Sequence, residues 1–396
     1  MVDISNIKNI VVVGAGMMGH GIAQVALMAG YNVTLVDISD KFVNNGIAKI
    51  EEGLNKVKAK GKLAEGISIA SLMARSKKSI DLVSAVKDAD FVFEAVVENL
   101  DVKKNICKTV MENSPSHCIF ASNTSTFSIT KIAESSKRPE NVIGMHFFLP
   151  VYLQGCVEVM KGEKTSNETL DIGVAIGNKL PCLKGKRLSV RIEKESLGFI
   201  ANRLLIPPGI YINWILDQAY DEGIPWEQID ADAGAGQFIP MGPCQLTDYL
   251  GVDASYNVMK SYEKSISHDF APGKVLTKLM KEGNLGKKTG KGFYDWIKGQ
   301  PKLNLSTKAG LFNPEIALAI QLNEGCKLLE EGIVSGYKII DDVMLKGTSM
   351  PGPFGPGKRN YEKWSRMLEE ITKQTRKNYL KPCELMKSGD FLTMRK

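Results

Sequence analysis

Short apolar runs of strand length alternate with longer amphipathic stretches through the first half of the chain. Residues 9–13, 32–36, 91–95, 118–121 and 142–148 read as strands, and 22–29 and 102–113 between them read as helices. This alternation predicts an α/β, parallel, doubly wound sheet. Near residue 190 the pattern changes. From Leu197 onward it is helical, with long apolar-periodic segments at 199–219 and 316–329, and Pro207-Pro208 kinks or restarts the first of them.

The helical half carries a weak internal repeat. Glu222-Gly223-Ile224, Ile229-Asp230 and Pro240-Met241-Gly242-Pro243 are echoed by Glu331-Gly332-Ile333, Ile340-Asp341 and Met350-Pro351-Gly352-Pro353. A duplicated helical unit accounts for the echo, because stacked repeats complete one another's core. Coincidence between Gly-Pro turns is the alternative. The expected segments are 1–190, 191–298 and 303–396, with 298–302 as linker.

A chain of 396 residues is long enough for two or three domains. No apolar run approaches the ~18 residues needed to span a bilayer, so no membrane partner is expected. The N-terminal residues 1–6 contain no Arg and lead straight into an apolar run, unlike a presequence. The seven cysteines are odd in number and scattered, with no C-x-x-C pair. That pattern argues against a disulfide framework or zinc site and for a reducing, cytoplasmic setting. The net charge of +7 either helps attract a polyphosphate ligand or is only solvated surface. No basic arm points to nucleic acid, and no metal is expected.

The run 10–13 leads into Gly14-Ala15-Gly16-Met17-Met18-Gly19 and then a helical stretch. The glycine spacing is weak evidence alone, but here it follows a strand and opens a helix, the context of a Rossmann dinucleotide fold. Gly14 permits the turn, Gly16 admits a pyrophosphate, Gly19 allows close helix packing, and the helix start offers free N–H groups. Met17 and Met18 complete the cofactor-binding turn. Asp37, 18 residues past Gly19, ends the second strand with no Arg in the next four positions. An acid there accepts ribose hydroxyls and repels a 2′-phosphate, which favours NAD.

His146 closes an apolar run, and Glu158 follows twelve residues later on a second one. If the two runs pair around the turn 149–155, the carboxylate meets the imidazole and holds one tautomer. Such a pair can take the proton of an alcohol. A satisfied, partly buried histidine is the bland alternative.

With these residues in view, the chain resembles the 3-hydroxyacyl-CoA dehydrogenase family from the glycine turn to about Trp296. The signatures are the glycine turn, Glu94-Ala95-Val96-Val97-Glu98-Asn99, Ser122-Asn123-Thr124-Ser125, His146-Phe147-Phe148 and Gly198-Phe199-Ile200-Ala201-Asn202-Arg203. Pro240-Met241-Gly242-Pro243 and the run from Gly286 to Tyr294 complete the set. The resemblance implies an NAD-dependent oxidoreductase of fatty acid metabolism, acting on a short acyl-CoA substrate such as 3-hydroxybutyryl-CoA; it implies either a homodimer through the helical half or a helical repeat that buries the same surface within one chain. It implies His146 as catalytic base, Glu158 as its orienting carboxylate, and Ser125 and Asn202 on the substrate. By residue type alone, Ser125 could equally cap a following helix, and Asn202 could tie two helices. Glu98, Lys103 and Lys288 match cofactor contacts, and Lys60 matches a lysine that meets CoA phosphate.

Three departures stand out. Leu149 replaces the family's Asn, Gly155 replaces a lysine, and Gly53 replaces the serine expected beside Lys60. They keep two other readings open: a dehydrogenase of a free hydroxy acid, and a catalytically inactive NAD-binding structural protein.

Overall fold

Asn9–Val13 forms strand β1, and the four apolar residues after Asn9 are all buried. A strand without a polar face is one covered on both sides. It pairs in parallel with β2 (Asn32–Val36) and, on its other edge, with β4 (Phe91–Glu94). The computed structural model describes residues 3–237 and 239–396. Residues 1 and 2, at the start of the N-terminal segment considered above, lie outside them. The remaining strands are β3 (Ser76–Ser79), β5 (Ile119–Ser122), β6 (Val142–Phe147), β7 (Cys156–Lys161) and β8 (Leu188–Ile192). Among the described residues they form one eight-stranded sheet in the order β3-β2-β1-β4-β5-β6-β7-β8.

The doubly wound sheet expected from the sequence is present, with the order reversing between β1 and β4. Ligands of such sheets bind outside the strand C-termini at that reversal. One strand departs from the parallel pattern: β7 runs antiparallel to β6. The link between them, 148–155, is too short for a parallel crossover, which takes a dozen or more residues. β3 escaped the strand reading because its Ser-Lys-Lys-Ser sequence is polar and lies at the sheet edge.

The chain divides into two compact units. The first holds the residues up to Ala201 together with Gly332–Gly352 and Lys396; the second holds Asn202–Glu331 and Pro353–Arg395. In the first unit, Gly332–Gly352 contributes the helix Tyr337–Val343 and a π turn, Met344–Thr348. That turn docks on the β6–β7 link, where Gly155 N donates to Lys346 O at 2.8 Å. A Cβ on Gly347 would stand 2.9 Å from the Phe148 ring. Only glycine leaves room there for the Phe148 ring.

The helix Ala201–Leu205 stops before the proline pair, and Pro208–Glu222 begins anew. Proline suits a helix start because its missing N–H would have no partner there. Arg203, on the first of these helices, pairs with Glu331 at 2.8 Å and Glu324 at 3.3 Å. The repeated motif has the same local geometry in both copies. A Cβ on Gly242 would lie 2.5 Å from Asp230 Cα, and one on Gly352 would lie 2.5 Å from Asp341 Cα.

Candidate active site

The glycine turn is built at the sheet's reversal point. Gly14 has φ +101°, and a Cβ there would meet the Ala95 carbonyl oxygen after β4 at 2.5 Å. Any side chain would force β1 and β4 apart. A Cβ on Gly19 would fall 1.7 Å from Gly14 O, so the helix Met17–Met28 packs directly on the turn. Gly16 meets nothing within 4 Å, and it precedes the helix with no side-chain cap. The first amides of that helix are therefore free to take an anion. Asp37 braces the turn from the end of β2: Ala15 N donates to its carboxylate at 2.7 Å, and Ile38 N does the same. Met17 is largely exposed on the first turn of the helix.

A second cluster hangs from β4 and β5. Glu94 is fully buried, accepting from Ser122 Oγ at 2.5 Å and from Lys103 Nζ at 2.8 Å. Lys103, itself buried, also pairs with Glu98 at 3.1 Å. Glu98 Oε1 then gathers the loop after β5. It accepts from Thr124 Oγ1 at 2.6 Å, Ser125 N at 3.0 Å, Thr126 N at 3.1 Å and Thr126 Oγ1 at 2.9 Å. Burial works against the Glu98 charge, yet the Lys103 ammonium and the threonine hydroxyls outweigh it and hold the carboxyl below its ordinary range. Ser125 does not cap a helix. The cap of the next helix, Ile129–Ala133, is Ser128, which accepts from Lys131 N.

His146 and Glu158 are directly opposite in the β6–β7 pair. Opposed residues of an antiparallel pair share a face, and here Nδ1 and Oε2 are 2.6 Å apart. Glu158 is fully buried, and its other oxygen accepts from Ile200 N at 2.8 Å and Ala201 N at 3.0 Å. Those amides are turned inward by Gly198 and Phe199, both at positive φ (+83° and +56°). Phe199 is a bulky residue in the left-handed region, where strain of order 1–3 kcal/mol is held in place by its surroundings. Its ring stacks on His146 at 5.2 Å, and Phe148 meets the imidazole edge-on at 4.9 Å. Asn123 ties the loop after β5 to the same strand by accepting from Phe147 N at 2.9 Å.

The remaining predicted residues lie apart from this cluster or in the second unit. Lys60 is exposed at the end of the helix Asp40–Ala59. Gly53, on that helix, is buried against Gln24, whose Oε1 lies 2.1 Å from where a Cβ would stand. Gln24 thus fills the space of the expected serine. Leu149 is exposed and its carbonyl accepts from Gln154 Nε2 at 3.2 Å. Asn202 and Lys288 belong to the second unit, where Asn202 O accepts from Ile206 N and Lys288 pairs with Asp253. Sequence reading missed Phe199, Asn123 and the amides of Ile200 and Ala201. The glycine of Gly198-Phe199 was the one available signal.

Comparison with known proteins gives this geometry a family. The model for the 3-hydroxyacyl-CoA dehydrogenase NAD binding domain matches residues 9–186, and that for the C-terminal domain of the same family matches 198–296. The mitochondrial hydroxyacyl-coenzyme A dehydrogenase of Sus scrofa is 38% identical over 301 residues, 73% of this chain and 91% of that protein. This chain belongs to the 3-hydroxyacyl-CoA dehydrogenase family. A probable 3-hydroxybutyryl-CoA dehydrogenase of Bacillus subtilis is likewise 38% identical, over 73% of this chain and 98% of its own length. The crystal structure of 3-hydroxybutyryl-CoA dehydrogenase from Escherichia coli K12 superposes with a TM-score of 0.82 at 26% identity, covering 98% of this chain and 99% of that one.

As a 3-hydroxyacyl-CoA dehydrogenase, the protein is an oxidoreductase that uses NAD. Its own residues fit the cofactor: the crevice beside Gly14 admits no side chain, the amides behind Gly16 are uncapped, and Asp37 carries the acid a ribose needs. Among the described residues no helix is long and apolar enough to cross a membrane.

Proposed function

We propose that the protein interconverts a short 3-hydroxyacyl-CoA, such as 3-hydroxybutyryl-CoA, and its 3-keto ester, with His146 and Glu158 as the acid–base pair. The observation that carries this reading is the 2.6 Å contact between His146 Nδ1 and a buried Glu158 whose second oxygen holds two amides. Glu158 can only accept while ionised, so Nδ1 carries a proton and Nε2 is left as the base. His146 takes the 3-hydroxyl proton at Nε2, and Glu158 stabilises the imidazolium that results. Phe199, stacked on the ring, and Phe148, set edge-on to it, hold the imidazole in place. Bound NAD supplies the acceptor for the hydrogen of C3 and its electron pair. In the reverse direction His146 returns the proton.

Gly14, Gly16, Met17, Met18, Gly19 and Asp37 hold the cofactor in this reading, and Glu98 reaches its nicotinamide end. Lys103 acts through Glu98, since its ammonium is already held between two carboxylates. Ser125 and Asn202 hold the substrate oxygen, Lys60 meets CoA phosphate, and Lys288 serves the cofactor. Residues 1–190 are the cofactor domain in this reading, and 303–396 a degenerate copy of 191–298, a duplication supported by the matching Asp–Gly contacts. A homodimer through the helical half completes the reading.

The filled serine position at Gly53 favours keeping one rival in view, a free hydroxy acid as substrate. Steady-state rates with NAD and CoA esters of increasing chain length, set against free 3-hydroxybutyrate, decide between them. The proposal expects kcat/KM to be highest on the short esters. Equal or faster turnover of the free acid overturns it.

A further inference from the structure

All seven cysteines are free thiols. Burial pushes Cys107 up to about 12 and Cys118 to about 11, which keeps both protonated. Cys156 and Cys244 are raised for the same reason. Cys182 donates to Gly185 O.

Cys326 and Cys383 differ from these. Cys326 is fully buried on the helix Pro314–Glu330, and Cys383 lies partly exposed just before the helix Glu384–Ser388. Asn323, one turn before Cys326, fastens the C-terminal segment to the long helix. Its Oδ1 accepts from Cys383 N at 2.8 Å and its Nδ2 donates to Lys381 O at 2.9 Å. Leu385 N adds a bond to Glu330 at 2.6 Å. Cys383 Sγ reaches Asn323 O at 3.9 Å. Helical side chains lean toward the N-terminus, so the Cys326 thiol overlies the turn bearing Asn323. The neighbouring Cys326 thiol holds Cys383 below its ordinary value, while burial pushes Cys326 well above its own. The more accessible sulfur is thus the readier thiolate, and the buried one stands behind it as a resolving thiol.

We propose that Cys326 and Cys383 are a redox-active dithiol that a low-molecular-weight disulfide of the glutathione class oxidises to an intrachain disulfide. Cys383 thiolate attacks one sulfur of the reagent, whose S–S bond breaks and releases one reagent thiolate with the electron pair. Cys326 then attacks Cys383 Sγ in the mixed disulfide and expels the second reagent thiolate. The two protein thiols are oxidised, the reagent is reduced to two thiols, and the two protein S–H protons pass to them.

The test uses the full-length protein, equilibrated with glutathione disulfide and then denatured for thiol titration, intact mass and peptide mapping. Free thiols should fall from seven to five as one pair is consumed. The mass should fall by about 2 Da, with one cross-linked peptide joining Cys326 to Cys383 and full reversal by a dithiol reductant. The oxidised form should melt roughly 5 °C or more above the reduced one, since the bridge closes a long loop. Cys383→Ser should abolish the reaction, and Cys326→Ser should stop it at a mixed disulfide on Cys383. Retention of seven thiols, a bridge between other cysteines, or unchanged oxidation in Cys383→Ser would each overturn the proposal.

Discussion

Glu158 reaches His146 with one oxygen and the amides of Ile200 and Ala201 with the other. The carboxylate is therefore fixed in direction before any substrate arrives. The contact follows from strand register, since His146 and Glu158 are opposed across β6 and β7. Sub-ångström placement of this kind is what an acid–base pair requires.

Glu158→Gln tests the charge and the tautomer together. An amide fits the same space and still accepts from Ile200 N, but its NH2 group donates to Nδ1. The imidazole then carries its proton on Nε2 and ceases to be a base. In the serine-protease triad the equivalent change costs about 10⁴ in kcat, and a loss of similar order is expected here. KM for NAD and the circular dichroism spectrum should stay unchanged. Rates and spectra of the purified variant check both.

Lys103 holds Glu94 in an ion pair at 2.8 Å, and Glu94 has no exposure to solvent. Lys103→Met should leave that carboxylate without a counter-charge in the interior. Breaking one side of a buried pair typically costs about 3–5 kcal/mol. Urea denaturation should show a loss of that size, and loosening of the loop 124–126 should lower kcat as well.

Glu98 gives the pH dependence of that loop. Its folded value is depressed, so its contribution to stability is present above the unfolded value and disappears as pH falls through the folded one. Wild type should exceed Glu98→Gln in stability at neutral pH. The two should converge below the ordinary glutamate value of about 4.3. Unfolding midpoints across pH 3–7 check this (roughly the window set by that value); a constant difference would refute it.

Gly53→Ser returns the residue the family leads one to expect, at a place Gln24 already fills. The single change should destabilise by about 1–3 kcal/mol through overpacking. Pairing it with Gln24→Ala should recover most of that loss and lower KM for the CoA ester. Thermal melts and substrate titrations of the three variants separate packing from CoA contact.

Much of this was legible in the sequence, for identifiable reasons. The glycine turn, Asp37 and the His146–Glu158 pair announce themselves because strand periodicity and a short link leave few alternative placements. Phe199 was not legible as a clamp, because its role rests on a left-handed backbone at Gly198 and Phe199 rather than on residue type. Ile200 and Ala201 act through main-chain amides, which no side-chain motif displays. Gln24 reads as an ordinary helical residue, and only the close approach of Gly53 exposes what it replaces. The π turn at Met344–Thr348 reaches Gly155 from almost two hundred residues away in sequence, beyond any local pattern.

The central claim is that His146 moves the hydroxyl proton, and His146→Gln tests it most directly. NADH formation from 3-hydroxybutyryl-CoA should fall by about 10²–10⁴-fold, the usual contribution of a general base, with NAD binding retained in a direct titration. Turnover equal to wild type would contradict the account.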